Sequence, residues 1–307
     1  MDPMYFIVFG LVALVVLVSC MRRAELPPET FLNFSAPKLY WFVDSESNAR
    51  DWWDFGARRS ITPNRGYLTV ALEVCKKTQG ADFTVVPLIG RDAVLRLISG
   101  ANPAAKQLPP PLWRQYVIAN LCASQGGLVM DGNSTLCVGP KFLPYLTGVE
   151  AAMFGVNPDE PVVSPGTAQA PGPAPYVGWA AKPAHPAWIH AANVLNGLVE
   201  RGPQAWSSAV ARRSSQQIWS EMAERGAKAI RMPDGGRRAD GKHRDLEDLF
   251  GRVGSPMDPA TALLPGSVYV PYDGEDLERR YEFNWFLRLS PTQIAESDIV
   301  WARLAGL

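Results

Sequence analysis

Between Lys38 and Asp131 the hydrophobic pattern switches from strand to helix and back again, and no other feature limits the fold as strongly. Lys38-Leu39-Tyr40-Trp41-Phe42-Val43 is a β-type run ended by Asp44-Ser45. From Tyr67 to Lys77, Leu68, Ala71, Leu72 and Cys75 recur at helical spacing. Asp82 to Ile89 (DFTVVPLI) is apolar almost throughout, which predicts a strand covered on both faces. Leu112 to Ser124 returns to the helical period, with Trp113, Val117 and Leu121 on one stripe. Gly126-Gly127 stops that helix, and Leu128-Val129-Met130 begins a third strand ending at Asp131. Strands alternating with helices pair in parallel, with the helices as crossovers. The expectation is an α/β fold with a Rossmann-like parallel sheet.

Before this domain, Met4 to Met21 (MYFIVFGLVALVVLVSCM) carries no charge. A helix of that length spans about 27 Å, close to a hydrocarbon core of roughly 30 Å. Only Met1-Asp2-Pro3 precede it, so the basic n-region of a cleaved signal peptide is missing, and Arg22-Arg23 closes it. Residues 1–23 therefore read as a single transmembrane anchor. The basic pair on its C-terminal side predicts a cytosolic domain by the positive-inside rule. Residues 24–37 read as a stalk and 38–307 as the α/β domain.

Within the domain, Asn157 to Pro175 holds six prolines and reads as a loop. Ala187–Val199 and Ser207–Arg225 look amphipathic, and Arg231–Arg244 is a basic, Gly-rich loop holding His243. Val268–Val270 is a strand candidate. Pro291–Leu304 is a terminal helix capped by Ser290 with Pro291 in its first turn.

Composition excludes several classes. The 307 residues carry 30 basic and 30 acidic side chains, so the bulk attraction that non-specific nucleic-acid binding needs is absent, and no nucleic-acid partner is expected. Four cysteines are too few and too scattered for a disulfide scaffold, and three histidines argue against His-rich metal chemistry. No Gly-x-Ser-x-Gly, P-loop or His-Glu-x-x-His element occurs, which leaves hydrolase, nucleotidase and zinc-protease readings without support.

Three places carry candidate chemistry. Asp131 closes a parallel strand, where α/β sheets bind ligands, and Asn133 follows two residues later. Both offer oxygen to Mg²⁺ or Mn²⁺, although Asn133 brings no charge. Asp131-Gly132-Asn133-Ser134 is equally good turn chemistry, and both readings stay open. Asn48, Arg50, Arg58 and Arg59, between the first strand and helix, could hold a diphosphate or form an ion-paired loop beside Asp44, Asp51 and Asp54. His185, beside Pro186, reads as a structural loop residue or as a base. Trp52-Trp53 and Trp285-Phe286 read as packing anchors.

Gly126-Gly127-Leu128-Val129-Met130-Asp131-Gly132-Asn133 resembles the Gly-Gly-x-x-x-Asp-x-Asp element of A-type glycosyltransferases, especially those similar to capsular-polysaccharide and mannosyl transferases. Ala180-Ala181-Lys182-Pro183-Ala184-His185-Pro186 resembles their Ala-x-x-Gly-His-Pro stretch, which implies that His185 is catalytic and faces the acceptor. The departures are Asn133 for the second acid, and Tyr116 and Ile118 where an Asp and an Arg contact the nucleotide sugar; Arg114 is off register. Trp41-Phe42-Val43-Asp44-Ser45-Glu46-Ser47-Asn48-Ala49-Arg50-Asp51-Trp52, Phe55 to Ser60 (FGARRS) and Tyr281 to Ile294 (YEFNWFLRLSPTQI) resemble a membrane-protein family of large nucleocytoplasmic DNA viruses. These resemblances imply an A-type glycosyltransferase-like domain behind one transmembrane helix. With its donor motif degraded, the protein is expected to be a virion or membrane-to-capsid structural component, such as a minor capsid protein at a viral inner membrane. Its partners would be membrane and capsid proteins, and it would need no cofactor. The alternative is an active transferase: Asp131 and Asn133 holding Mn²⁺ or Mg²⁺, Asn48, Arg50, Arg58 and Arg59 the diphosphate of a nucleotide sugar, and His185 facing the acceptor.

Overall fold

Three strands of the expected series lie side by side in one sheet: β1 (Lys38–Val43), β2 (Thr84–Ile89) and β3 (Gly127–Asp131). The computed structural model describes residues 36–44, 65–154, 176–206, 218, 220–230, 245–250 and 267–306. The expected anchor, nearly all of the stalk, Asn48, Arg50, Arg58, Arg59, the Pro-rich segment 157–175, residues 207–217 and the basic loop 231–244 lie outside the described residues. Among the described residues, no helix is long and apolar enough to cross a membrane.

Helix α1 (Gly66–Gln79) joins β1 to β2, and α2 (Pro110–Ser124) precedes β3. Strands β5 (Ala151–Phe154), β6 (Val177–Ala180) and β7 (Lys228–Ile230) complete a six-stranded sheet in the order β2-β1-β3-β6-β5-β7. β1 pairs in parallel with β2 and β3, and β5 with β7; only β6 runs against its neighbours. The result is a mixed α/β domain with a mostly parallel sheet. A second, two-stranded sheet pairs β4 (Thr135–Cys137) with β8 (Tyr269–Pro271).

The period of two along each strand divides the interior into two cores. Leu39, Trp41 and Val43 of β1, with Leu128 and Met130 of β3, face α1 and the C-terminal residues Ile294 and Trp301. Tyr40, Phe42 and Val129 face the other way, against α2 and α3 (Pro186–Arg201). Gly126 and Gly127 both have positive φ (69° and 85°), which L side chains rarely adopt. A Cβ on Gly127 would also come within 2.5 Å of the Lys38 carbonyl oxygen, so glycine is required where α2 turns back into β3.

Three expectations change. β2 is not covered on both faces: it is an edge strand in which only Leu88 is buried and Ile89 is 46% exposed. Pro87 suits that edge, because proline cannot donate to a ladder. α2 has no single apolar stripe: from Leu112 to Cys122 nearly every residue is buried, since the helix lies between the sheet and α3. The terminal helix is interrupted, giving α4 (Gly274–Arg279) before it and then α5 (Pro291–Ala295) and α6 (Val300–Leu304). Ile299 is extended between α5 and α6, and the Ser297 hydroxyl donates to the Ile294 carbonyl. Ser290 does cap α5, in a capping box with Gln293.

Candidate functional site

Asp44 follows β1 and Asp131 closes β3, so both stand at the carboxyl edge of the sheet, where open α/β sheets take their ligands. There the chain turns sharply into β4. Asp131 Oδ1 accepts from the Asn133 backbone N–H at 2.9 Å and from Asn133 Nδ2 at 3.3 Å, while the Thr135 hydroxyl donates to the Asp131 carbonyl. This is the local bonding that makes Asp a turn former. The turn fits against its neighbours main chain first. A Cβ on Gly132 would lie 2.3 Å from the Trp41 indole, and one on Gly274 would lie 2.1 Å from the Asn133 carbonyl oxygen.

Arg114 reaches the same point from α2. Its Nη1 stands 3.5 Å from Asp131 Oδ2, and its guanidinium lies 4.1 Å over the Tyr176 ring, a cation–π distance. The meeting has a simple cause. From Arg114 to the Gly-Gly turn, α2 rises roughly 18 Å, and β3 runs back roughly 16 Å. The start of the helix therefore faces the end of the strand. That arithmetic could have found Arg114 in the sequence; alignment to the transferase motif could not.

The opposite wall comes from the far end of the chain. β8 pairs with β4, and the Ser134 carbonyl then accepts from the Tyr272 N–H at 2.9 Å, delivering Asp273 and α4 to the turn. Asp273 caps α4, its Oδ1 accepting from the Asp276 N–H. Glu275 and Glu278 complete a cleft of about 110 Å³, also lined by Phe42, Trp113 and Tyr176. Ligand and cofactor pockets more commonly measure ~300–1,000 Å³.

Among the described residues the cleft is acidic: Asp44, Asp131, Asp273, Glu275 and Glu278 line it with a single cation, Arg114. Arg91 pairs with Asp44 at 3.3 Å, and Arg65 pairs with Glu278 at 2.5 Å, while the Tyr67 hydroxyl donates to Glu278. Burial pushes the Asp131 carboxyl up, against the opposing pull of Arg114 and the Asn133 N–H. Burial also raises Glu275, with Asp273 adding to it, and raises Glu278 against the pull of Arg65. For Arg114, burial works against the charge, yet Tyr176, Asp131 and Asp273 outweigh it and the guanidinium is held above its ordinary value.

Asp131 and Asn133 are thus brought together, but as two halves of a turn whose carboxylate already has a cationic partner. A divalent ion bound through both would compete with Arg114 for Asp131 and take up the Asn133 Oδ1, which is buried with no hydrogen-bond partner among the described residues. Among the described residues, no cluster of three or more His, Cys, Asp or Glu is arranged to hold a metal. His185 stands elsewhere. β6 runs from Tyr176 at the cleft to Ala180 opposite Gly127, so His185 follows at the amino edge of β3. The length of β3 puts roughly 13 Å between the two edges. There His185 caps α3, its Nδ1 accepting from the Ala187 N–H at 3.3 Å. Asn48, Arg50, Arg58 and Arg59 lie outside the described residues. The sequence reading missed Arg114, Tyr176, Asp273, Glu275 and Glu278 as site residues.

No protein-family model matches the chain, and no curated protein matches it.

Proposed function

We propose that this is a membrane-anchored viral protein whose A-type glycosyltransferase-like domain has lost its donor chemistry and serves as a virion or membrane-to-capsid structural component. One observation carries the loss of chemistry: Asp131, the residue matching the metal-binding acid, is engaged internally by Arg114 and by the Asn133 N–H. The mostly parallel sheet, with Asp131 at its carboxyl edge, supports the fold half of the reading. The small cleft volume supports the view that no nucleotide sugar is accommodated. The membrane, viral and capsid parts rest on the apolar run Met4–Met21 and on the resemblances of Trp41–Ser60 and Tyr281–Ile294.

The test is calorimetric titration of the full chain in detergent with Mn²⁺ and a panel of nucleoside diphosphates and nucleotide sugars. A structural component binds none of them, and Asp131→Ala lowers its melting temperature. In particles, deleting residues 1–23 removes the protein from virions. Metal-dependent binding of one nucleotide, abolished by Asp131→Ala, would overturn the proposal in favour of an active metal-dependent glycosyltransferase.

A further inference from the structure

The cleft carries more negative charge than its arginines answer. Arg91, Arg114 and Arg65 are paired with Asp44, Asp131 and Glu278. Asp273 and Glu275, the other two acids of the lining, have no cation within ion-pair distance among the described residues, and both are exposed. Asp273 adds to burial in raising the Glu275 carboxyl, so the two acids crowd each other. The lining also holds polar atoms with nothing to bond. Asn133 Oδ1 and the Nε1 of Trp113, a residue 1% exposed, are buried without a hydrogen-bond partner among the described residues. Buried polar atoms are nearly always paired, so such atoms beside two unanswered carboxylates point to a ligand.

We propose that the cleft receives the ammonium group of one lysine side chain from a partner protein; the protein source rests on the structural-component reading above, and the cation does not. An ammonium has three donors and no acceptor, which suits the Asp273 and Glu275 carboxylates and the Asn133 Oδ1. A guanidinium is the poorer fit. It gains much of its advantage by stacking on aromatic faces, and the two cleft rings suited to it already carry one. Arg114 lies 4.1 Å over Tyr176, and Arg91 lies 4.9 Å over Trp113. The volume of about 110 Å³ is small for a cofactor and suits a single side chain. Phe42, Pro110 and Pro111 supply apolar lining for the methylene stem, which lysine buries while its charge meets polar groups. Trp113 Nε1 donates only, and a peptide brings carbonyl acceptors that a simple amine lacks.

The experiment is ligand-observed saturation-transfer NMR on the full chain in non-ionic detergent, with EDTA and no nucleotide. The probes are a capped glycine–serine peptide with one central lysine, the same peptide with that lysine Nε-acetylated, its arginine counterpart, and butylammonium chloride. The lysine peptide binds, its ε-methylene protons receive the strongest saturation, and the arginine peptide binds more weakly. Nε-acetylation and Glu275→Gln each weaken binding about tenfold, as loss of a charged hydrogen bond does. Glu282→Gln, the same charge change at an exposed acid outside the cleft, leaves binding unchanged. The acetylated probe is read on the unmutated chain, so the result does not depend on how well Glu275→Gln folds. Absence of saturation with the lysine peptide overturns the proposal, as does binding that acetylation or Glu275→Gln leaves undiminished, or tighter binding of the arginine peptide. Butylammonium binding as tightly as the lysine peptide overturns the protein source. These arms contain neither metal nor nucleotide, so their failure is distinct from that of the structural-component reading, which falls only to nucleotide binding.

Discussion

Replacing Arg114 with methionine tests the central feature of the cleft, because it keeps the apolar stem of the side chain and removes the guanidinium that faces Asp131 and the Tyr176 ring. Asp131 is 3% exposed, and its ion-pair partner Arg114 has a side chain 15% exposed, so little solvent can replace the guanidinium. Removing one partner of a buried pair costs about 3–5 kcal/mol. Because the pair spans 3.5 Å and Asp131 keeps the Asn133 N–H, the lower end, about 3 kcal/mol, is the better figure. At roughly 2–4 °C per kcal/mol, this lowers the melting temperature by about 6–12 °C. The deficit has a definite pH dependence. Arg114 is the largest influence holding the Asp131 carboxyl down against burial, so its loss raises the folded-state value further above the unfolded ~3.9. Between those two values the folded state binds the extra proton. The mutant's stability accordingly rises as the pH falls through the raised value towards ~3.9 and is lost again as the pH climbs back through it. Melting curves of the full chain in detergent, recorded by circular dichroism from pH 5 to 8, should show the gap to wild type narrowing at the acid end. Adding Asp131→Asn should restore most of the loss at neutral pH. A deficit of less than a degree, or one that neither acid nor Asp131→Asn relieves, would refute the assignment of Asp131 and Arg114 as a mutually dependent pair.

Gly132→Ala should destabilise by about 1–3 kcal/mol in urea titration, since the added methyl meets the rigid Trp41 indole at 2.3 Å; unchanged stability would mean that the turn does not pack as described. His185→Ala should cost about 1 kcal/mol through loss of the α3 cap, and His185→Asn should recover it, because Asn accepts the same bond. A drop in stability with both variants alike would argue against capping. Ser290→Ala, which removes one half of the capping box on α5, should lower stability by about 1 kcal/mol by chemical denaturation. Gln293→Ala should lower it by less, because it leaves the Ser290 bond in place.

Much of the fold was legible because local signals agreed with one another. β1, β3, α1 and α2 fall close to the bounds that period and glycine stops predict, since Gly126-Gly127 leaves the chain little choice about where α2 ends. What failed was information that no local window holds. The run Thr84–Ile89 is equally apolar whether it lies at the centre of a sheet or at its edge, and only its partners decide. β5 (AAMF) and β6 (VGWA) are buried along their whole length and too short to display a period. In the site, Asp131 stood out because a strand ended on it. The acids facing it arrive through the pairing of two three-residue strands more than a hundred residues apart, which nothing local announces. Asp273-Gly274-Glu275-Asp276 did carry a helix-start signal, but such a signal marks a boundary and says nothing of where in space it will stand.

The contacts that Gly132 makes with Trp41 and Gly274 with the Asn133 carbonyl mean that the turn after Asp131 and the start of α4 are seated by main chain meeting main chain or a flat ring. Much of the charge on the cleft is carried separately, by Asp44, Glu275 and Glu278. The seating of these two segments and the charge of those three acids thus lie in different atoms and can be edited apart. A molecule built this way can exchange what its cleft attracts while keeping the form of the cleft, which makes it a natural host for a grafted recognition site once the two glycines are left alone.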